Sequence, residues 1–282
     1  MKKMMITGAS GFLGSRIAGY YKESFELLCP THKELDITEK EQIQHYMEEN
    51  KPDVLIHCAA ISDVVDCEKN LELSYKMNVL SCEYFAKESK KLDIKCILCS
   101  SDQVYFGSKI DTPHTEKEEL TPFNTYGKQK LEMEQRCLEI NLDAVLLRLA
   151  WMYDAEKNYE SQHGDFISTL KQNLVNQKPL SYPIYDKRSI TDIHEVVQNL
   201  EKVMLLPGGV YNYGSYNEMS TYDTMRQVFA KCGMTYEIQK NETGFADNHR
   251  NLCMNLDKIS RYGITFSSTL DGLVRNLLPI CS

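Results

Sequence analysis

The start of the chain constrains its fold most. Lys2 to Thr7 is a short apolar run that reads as a strand. It passes at once into Gly8-Ala9-Ser10-Gly11-Phe12-Leu13-Gly14 and then into a helical pattern over Ser15 to Glu23. Glycines at this spacing let the backbone turn tightly and approach a pyrophosphate, whose charge the N–H groups and dipole of the next helix stabilise. A strand, a glycine turn and a helix in that order predict a parallel α/β sheet with a dinucleotide on the turn. The same glycines also fit a turn that binds nothing.

The first half of the chain continues the alternation. Phe25 to Cys29, Val54 to Cys58, Ile94 to Ser100 and Ala144 to Leu149 are expected strands. The fourth of these five strands is almost continuously apolar, as strands covered on both faces are. Thr38-Glu39-Lys40-Glu41 has the form of a capping box and predicts a helix to about Glu49, and a long helix is expected from Leu71 to Lys91. The predicted fold class is α/β, a Rossmann-type doubly wound parallel sheet. An acidic residue at the end of the second strand would take the ribose 2′-hydroxyl of NAD. Here the chain reads Cys29-Pro30-Thr31-His32-Lys33, with Arg16 a further cation on the first helix. A hydroxyl, an imidazole and an ammonium suit a 2′-phosphate, which favours NADP, with NAD the alternative because Thr31 to Lys33 also reads as a solvated loop. Asp36-Ile37 is placed to flank an adenine, and the small Ala59-Ala60 pair lets a cofactor pass over the strand tips.

A second stretch carries chemistry. Tyr126 and Lys130 lie four residues apart, after Pro122 and Asn124. A helix opening at Asn124 stacks them on one face. A cation beside a phenol lowers its pKa and lets it exchange a proton near neutral pH, although the spacing alone also fits an exposed helix face. Context favours the chemical reading. Ser100-Ser101-Asp102-Gln103-Val104-Tyr105 ends the fourth strand, where ligands of open parallel sheets collect, and the Tyr126 segment lies between that strand and the next. Asn78 is an amide among apolar neighbours that needs partners if buried, which is also compatible with a structural role.

The bulk properties exclude other classes. A net charge of −8 argues against nucleic acid and an anionic membrane surface as partners. No apolar run approaches bilayer length, and Lys2-Lys3-Met4-Met5-Ile6 leads into glycines and not into a signal sequence, so a cytoplasmic location is expected. The 10 cysteines show no disulfide framework and are expected as free thiols. Cys96 and Cys99 are formally C-x-x-C, but that spacing in a strand sends the sulfurs to opposite faces, so no redox role is predicted. The 7 histidines show no paired helical spacing, and no metal site is predicted.

Taken together, Gly8-x-x-Gly11-x-x-Gly14, the Ser100-Ser101 strand end and Tyr126-x-x-x-Lys130 resemble the extended short-chain dehydrogenase/reductase family, which acts mostly on nucleotide sugars. Within it, Ser100 to Tyr105, Asp36-Ile37-Thr38, Ala59-Ala60 and Arg148-Leu149-Ala150-Trp151-Met152-Tyr153 look like the corresponding segments of the dTDP-4-dehydrorhamnose reductases. The likeness covers about the first 155 residues well and the remainder thinly. It implies Ser101, Tyr126, Lys130 and Asn78 as the catalytic set, and Gly8, Gly11, Phe12, Leu13 and Gly14 around the pyrophosphate. It also implies Asp36, Ile37, Ala59, Ala60 and Ser62 around the adenosine and ribose, beside the Thr31 and His32 already read as cofactor contacts, with Tyr126 and Lys130 also touching the cofactor. Ser101, Asp102, Trp151 and Arg188 would face the substrate. Phe12, Gln103 and Phe106-Gly107 depart from the pattern of those reductases, and Arg188 to Glu195 looks closer to sugar-nucleotide epimerases.

The implied activity is NAD(P)H-dependent reduction of a 4-keto nucleotide sugar. The alternatives are a nucleotide-sugar epimerase or dehydratase, or a non-catalytic NADP-binding regulatory subunit like the accessory chain of methionine adenosyltransferase assemblies. A homodimer is compatible with this reading. Residues 1–153 with roughly 180–210 are expected to form the dinucleotide-binding domain, and roughly 154–179 with 211–282 a smaller C-terminal α/β substrate-binding region. The polar stretch Asp154 to Gly164 reads as a flap.

Overall fold

The structure is a computed structural model that describes residues 1–156 and 165–281. In chain order its strands are β1 (Lys3–Thr7), β2 (Glu26–Leu28), β3 (Val54–His57), β4 (Lys95–Ser101), β5 (Val145–Leu149) and β6 (Trp151–Tyr153). They continue with β7 (Leu180–Pro183), β8 (Asp186–Arg188), β9 (Ile190–Asp192), β10 (Gly209–Tyr213), β11 (Ile238–Asn241) and β12 (Arg250–Leu252). Six of them make one parallel sheet in the order β10-β5-β4-β3-β1-β2. The apolar runs explain it: β1, β3 and β5 carry Met4, Met5, Ile6, Leu55, Ile56, Val145 and Leu146, all buried. Parallel strands cannot be joined by tight turns, so helices cross over both faces and cover both.

Alternate side chains of the strands feed two cores. On one face Met4, Ile6, Ile56, Ile97 and Leu147 pack with Leu13 and Ile17 of the first helix, and with Ile193, Val197 and Leu200. On the other, Met5, Leu55, Leu98 and Leu146 meet Ile43, Phe85, Met133 and Cys137 from the helices Lys40–Asn50, Ser81–Leu92 and Thr125–Ile140. Burying each large side chain is worth about 1.5–3 kcal/mol, so the two layers hold the sheet from both sides. The expected doubly wound architecture is the one observed.

Several local expectations are corrected. No capping box forms at Thr38: its hydroxyl donates to Asp36 Oδ1 at 2.8 Å, and the helix starts at Lys40 without a side-chain cap. The long helix from Leu71 is interrupted by one π-helical turn, Lys76–Leu80, before continuing to Leu92. β10 pairs with β5, so the central sheet runs past the boundary expected at residue 210; in the division we propose, the dinucleotide side therefore extends to Tyr213. The remaining short strands form three parallel pairs, β7 with β11, β8 with β12 and β6 with β9. With the helices Phe166–Val175, Thr221–Lys231 and Thr269–Cys281, the pairs β7–β11 and β6–β9 build a separate core around Tyr153, Ile167, Leu170, Phe229 and Leu273. Most of the expected flap, 157–164, lies outside the described residues. Among those described, no helix is long and apolar enough to cross a membrane.

Candidate active site

The glycine turn is fixed by close approach. Gly8 has φ of +68°, and a Cβ there would lie 2.8 Å from the Ala59 nitrogen. A Cβ on Gly14 would lie 2.3 Å from the Gly8 carbonyl oxygen, so helix, turn and the end of β3 nest only if these positions lack side chains. The helix Phe12–Tyr21 then starts at Gly11 with no side-chain cap. The first amides of a helix have no intrahelical partner, so this terminus is suited to an anion. Behind the turn, Thr7 Oγ1 and His57 Nδ1 are 2.6 Å apart and His57 Nε2 is 3.2 Å from Ser81 Oγ. Burial, and then the charge of Lys130, push the His57 pKa down to about 3, so the ring is neutral.

The adenosine end differs from expectation in detail. Arg16 is not available as a spare cation, because its Nε and Nη2 donate to Asp154 Oδ2 at 2.9 and 2.7 Å. The Thr31 hydroxyl and amide both donate to Glu34 Oε2 at 2.8 Å. His32 and Lys33 remain exposed. Asp36 closes a turn onto Thr38, whose amide and hydroxyl hold its carboxyl below the usual range. Ile37 is buried in the core, Ala59 and Ala60 are half-buried beside the turn, and Ser62 is exposed.

The Tyr126 helix is clamped at its start. Asn124 caps it, accepting the Gly127 amide at 2.6 Å, and Asn124 Nδ2 donates to Gln103 Oε1 at 2.9 Å. A Cβ on Gly127 would lie 2.4 Å from the Gln103 carbonyl oxygen, so only glycine lets this helix sit against the 3₁₀ turn Asp102–Tyr105 that follows β4. Tyr126 and Lys130 are consequently both buried, with the ammonium 5.8 Å from the phenol ring centroid. Lys130 Nζ donates to the Cys99 carbonyl at 2.8 Å, and Ser101 Oγ, which donates to Asp102 Oδ1 at 3.3 Å, also acts on the Tyr126 phenol.

Burial dominates the phenol's titration. It pushes Tyr126 above the ordinary phenol range against the opposing effects of Lys130 and then Ser101. The lysine alone therefore does not yield a phenolate, contrary to the sequence expectation; near neutral pH Tyr126 is a protonated acid. For Lys130 burial acts downward, but Tyr126 and the thiols of Cys82, Cys99 and Cys137 outweigh it and keep the amine charged.

Asn78 lies in the π turn, fully buried, and does not reach the Tyr126 hydroxyl through a bond of its own. Its Oδ1 accepts the Ile61 amide at 3.0 Å, and its Nδ2 donates to the Ile61 carbonyl and to Gln129 Oε1, both at 2.9 Å. It ties the loop after β3 to the helix between Tyr126 and Lys130.

Asp102, next to Ser101 in the 3₁₀ turn, leads to a second group of side chains with Arg188 and Trp151. Asp102 is buried, and desolvation raises its carboxyl to about 6 despite Arg188 and Arg250 nearby. The Arg188 guanidinium stacks 4.2 Å from the Trp151 ring centroid. Asp102 Oδ2, Arg188 Nε and Ser189 Oγ are enclosed without hydrogen-bond partners. Trp151 stays 37% exposed.

Sequence reasoning missed a buried network behind this site. Ser100 Oγ donates to Glu134 at 2.5 Å, and Arg148 holds Glu134 through Nη2 at 2.7 Å and the Tyr105 hydroxyl through Nη1 at 2.7 Å. Tyr105 donates to Asn212 Oδ1 at 2.6 Å, reaching β10. The available signal was Arg148 itself, a charge inside the apolar run Val145 to Leu149, which demands a buried partner.

A doubly wound parallel sheet with a glycine turn after β1, a serine ending β4 and a Tyr-x-x-x-Lys helix between β4 and β5 is the arrangement of the extended short-chain dehydrogenase/reductases. The chain belongs to the family described as the RmlD substrate binding domain, whose family model matches residues 1–253. It is 30% identical to a dTDP-4-dehydrorhamnose reductase from Mycolicibacterium smegmatis, over 82% of this chain and 70% of that one. It is also 28% identical to the methionine adenosyltransferase 2 subunit beta of Rattus norvegicus, over 79% and 70%. A crystal structure of dTDP-4-dehydrorhamnose reductase from Bacillus anthracis, solved with NADP, shares the fold with a TM-score of 0.85 at 24% identity, over 99% of each chain.

Proposed function

We propose that the protein is an NADPH-dependent reductase of a 4-keto nucleotide sugar, of the kind that dTDP-4-dehydrorhamnose represents. The observation that carries this reading is a buried, protonated Tyr126 beside a charged Lys130 and the Ser101 hydroxyl, at the carboxyl end of β4 in a sheet whose first strand leads into the glycine turn. The turn fits the cofactor: Gly8, Gly11, Phe12, Leu13 and Gly14 would hold its pyrophosphate on the uncapped helix start. Ala59, Ala60 and Ser62 would follow the ribose, and Asp36 with Ile37 the adenine. His32 and Lys33 would meet a 2′-phosphate, with Thr31 engaged by Glu34. Bound there, a reduced nicotinamide supplies a hydride. The NADP held by the Bacillus anthracis relative agrees with this choice of cofactor.

The chain's own residues then manage the oxygen. Ser101 donates a hydrogen bond to the substrate carbonyl, and Tyr126 delivers a proton as negative charge develops there. Lys130 disfavours protonation of the phenolate left behind and would hold the nicotinamide ribose. Asn78 and Gly127 keep the helix in register with the strand ends. Trp151 gives the sugar a flat apolar face, while Asp102 and Arg188 offer their enclosed acceptor and donor to its polar groups. Gln103 is occupied by Asn124, so Asp102 has no second carboxylate at that position to assist a dehydration.

NADPH oxidation with dTDP-4-dehydrorhamnose tests the assignment. Tyr126→Phe should lower turnover by about 10²- to 10⁴-fold, the usual worth of acid catalysis, while leaving cofactor affinity nearly unchanged. Equal turnover in both proteins would remove Tyr126 from the chemistry. The likeness to the methionine adenosyltransferase subunit supports a second reading, a non-catalytic NADP-binding subunit. No turnover across a panel of keto-sugar nucleotides, with stable co-purification of a larger enzyme, would establish that reading instead.

A further inference from the structure

The C-x-x-C pair of the sequence is divided by β4: Cys96 is buried in one core, while Cys99 packs against the other. Cys99 meets a different thiol. β3 and β4 run in parallel with His57 opposite Leu98, so the next residues, Cys58 and Cys99, stand side by side where the strands end. Both pack against the same core, and their sulfurs are 3.8 Å apart. Neighbouring strands lie about 4.7–4.9 Å apart, within the roughly 4.4–6.8 Å between Cα atoms that a disulfide spans.

The pair has a defined place. A Cβ at Gly8 would come within 3.2 Å of the Cys58 carbonyl carbon, and the Cys99 carbonyl accepts the Lys130 ammonium at 2.8 Å. The two residues thus lie between the glycine turn and the Tyr126 helix, and both are half-buried. They are chemically unequal. Contact with Cys58, together with Lys130, holds the Cys99 thiol below its usual range against burial, whereas contact with Cys99 and burial push Cys58 up. Two sulfurs in contact, one with its pKa lowered, are the pairing from which disulfides form.

We propose that Cys58 and Cys99 are a reversible dithiol/disulfide site at the base of the cleft, oxidised by peroxide and shielded by bound dinucleotide. The Cys99 sulfur attacks a peroxide oxygen, giving a sulfenic acid and one water. The Cys58 sulfur then displaces the sulfenic oxygen as a second water, so two thiols supply the two electrons and two protons that reduce the peroxide. Closing the sulfurs to about 2.05 Å draws the β3 and β4 ends together under Ala59 and Lys130 and lowers cofactor affinity. The shielding rests on the reading of this cleft as the nicotinamide site; the disulfide itself does not.

Hydrogen peroxide treatment of the full chain, followed by peptide mass mapping, tests the site. A peptide pair linked through Cys58 and Cys99, restored by dithiothreitol and lost in Cys58→Ser and Cys99→Ser, is the expected result. NADP at about one hundred times its Kd should slow the linkage by about 100-fold, in proportion to the unbound fraction. Oxidation of exposed Cys29 while Cys58 and Cys99 stay unlinked would overturn the site. Calorimetry separates the two claims. Linkage in a protein that binds no NADP would refute the cofactor reading alone, whereas linkage unslowed in a protein that binds it would refute the shielding.

Discussion

The two walls of the cleft are built on opposite principles. On the helix wall, Asn78, Asn124, Gln103, Lys130, Glu134 and Arg148 all find partners within the protein, and glycines let backbone meet backbone. On the second wall, Asp102, Arg188 and Ser189 are enclosed with polar atoms unpaired. An unmatched buried polar atom costs about 1–3 kcal/mol, so these atoms gain most from a partner supplied from outside the protein. The difference teaches that the first wall is a frame satisfied by the protein itself, while the second keeps polar capacity that, in the function we propose, would meet the substrate.

Breaking the frame should give the largest effect. Glu134→Leu leaves the Arg148 guanidinium buried without its carboxylate, and should lower unfolding stability by about 3–5 kcal/mol in urea titration. A loss under about 1 kcal/mol would mean that the helix wall is not the more tightly determined one.

Asp102→Asn probes the unpaired wall and should act in the opposite direction. The folded-state pKa of about 6 lies above the carboxyl's ordinary 3.8, so the native protein holds this proton more tightly than the unfolded chain. Ionisation therefore costs stability as pH rises through that window. The amide should stabilise the protein by on the order of 2–3 kcal/mol at pH 8 and by little at pH 4, since each tenfold difference in proton affinity between the folded and unfolded states is worth about 1.4 kcal/mol. Melting curves of both proteins across this range would sharpen the contrast, and a pH-independent difference would contradict the assignment. The smallest structural change is Gly127→Ala, expected to cost about 1–3 kcal/mol through overpacking against the Gln103 carbonyl. If the frame positions Tyr126, turnover should also fall by up to about 10²-fold, because a displacement of about 1 Å can cost that much. Unchanged kinetics and stability would show that the clamp is looser than its geometry implies.

Much of the frame was legible in one dimension. The apolar runs and glycine turn have short periods, and those dictate strands, helices and the parallel sheet because each element must bury its own apolar face. Asn124 could be read as a cap because its partner, Gly127, is three residues away. The capping box at Thr38 failed for a similarly local reason: Asp36, two residues back, competes for the same hydroxyl.

What the chain alone left undecided are meetings between residues far apart in it. Glu134 with Arg148, Cys58 with Cys99, and Arg188 with Trp151 depend on strand order and register, which no local pattern encodes. The same holds for charge. Sequence placed a lysine beside a phenol and predicted a lowered pKa, but depth of burial decided the balance in favour of the protonated form. Residue type and spacing thus determined which groups this protein can bring to a reaction. Tertiary structure decided which of them are desolvated, which are already paired, and which remain to meet a ligand, because the cost of removing water is set by everything packed around a group and not by its neighbours in sequence.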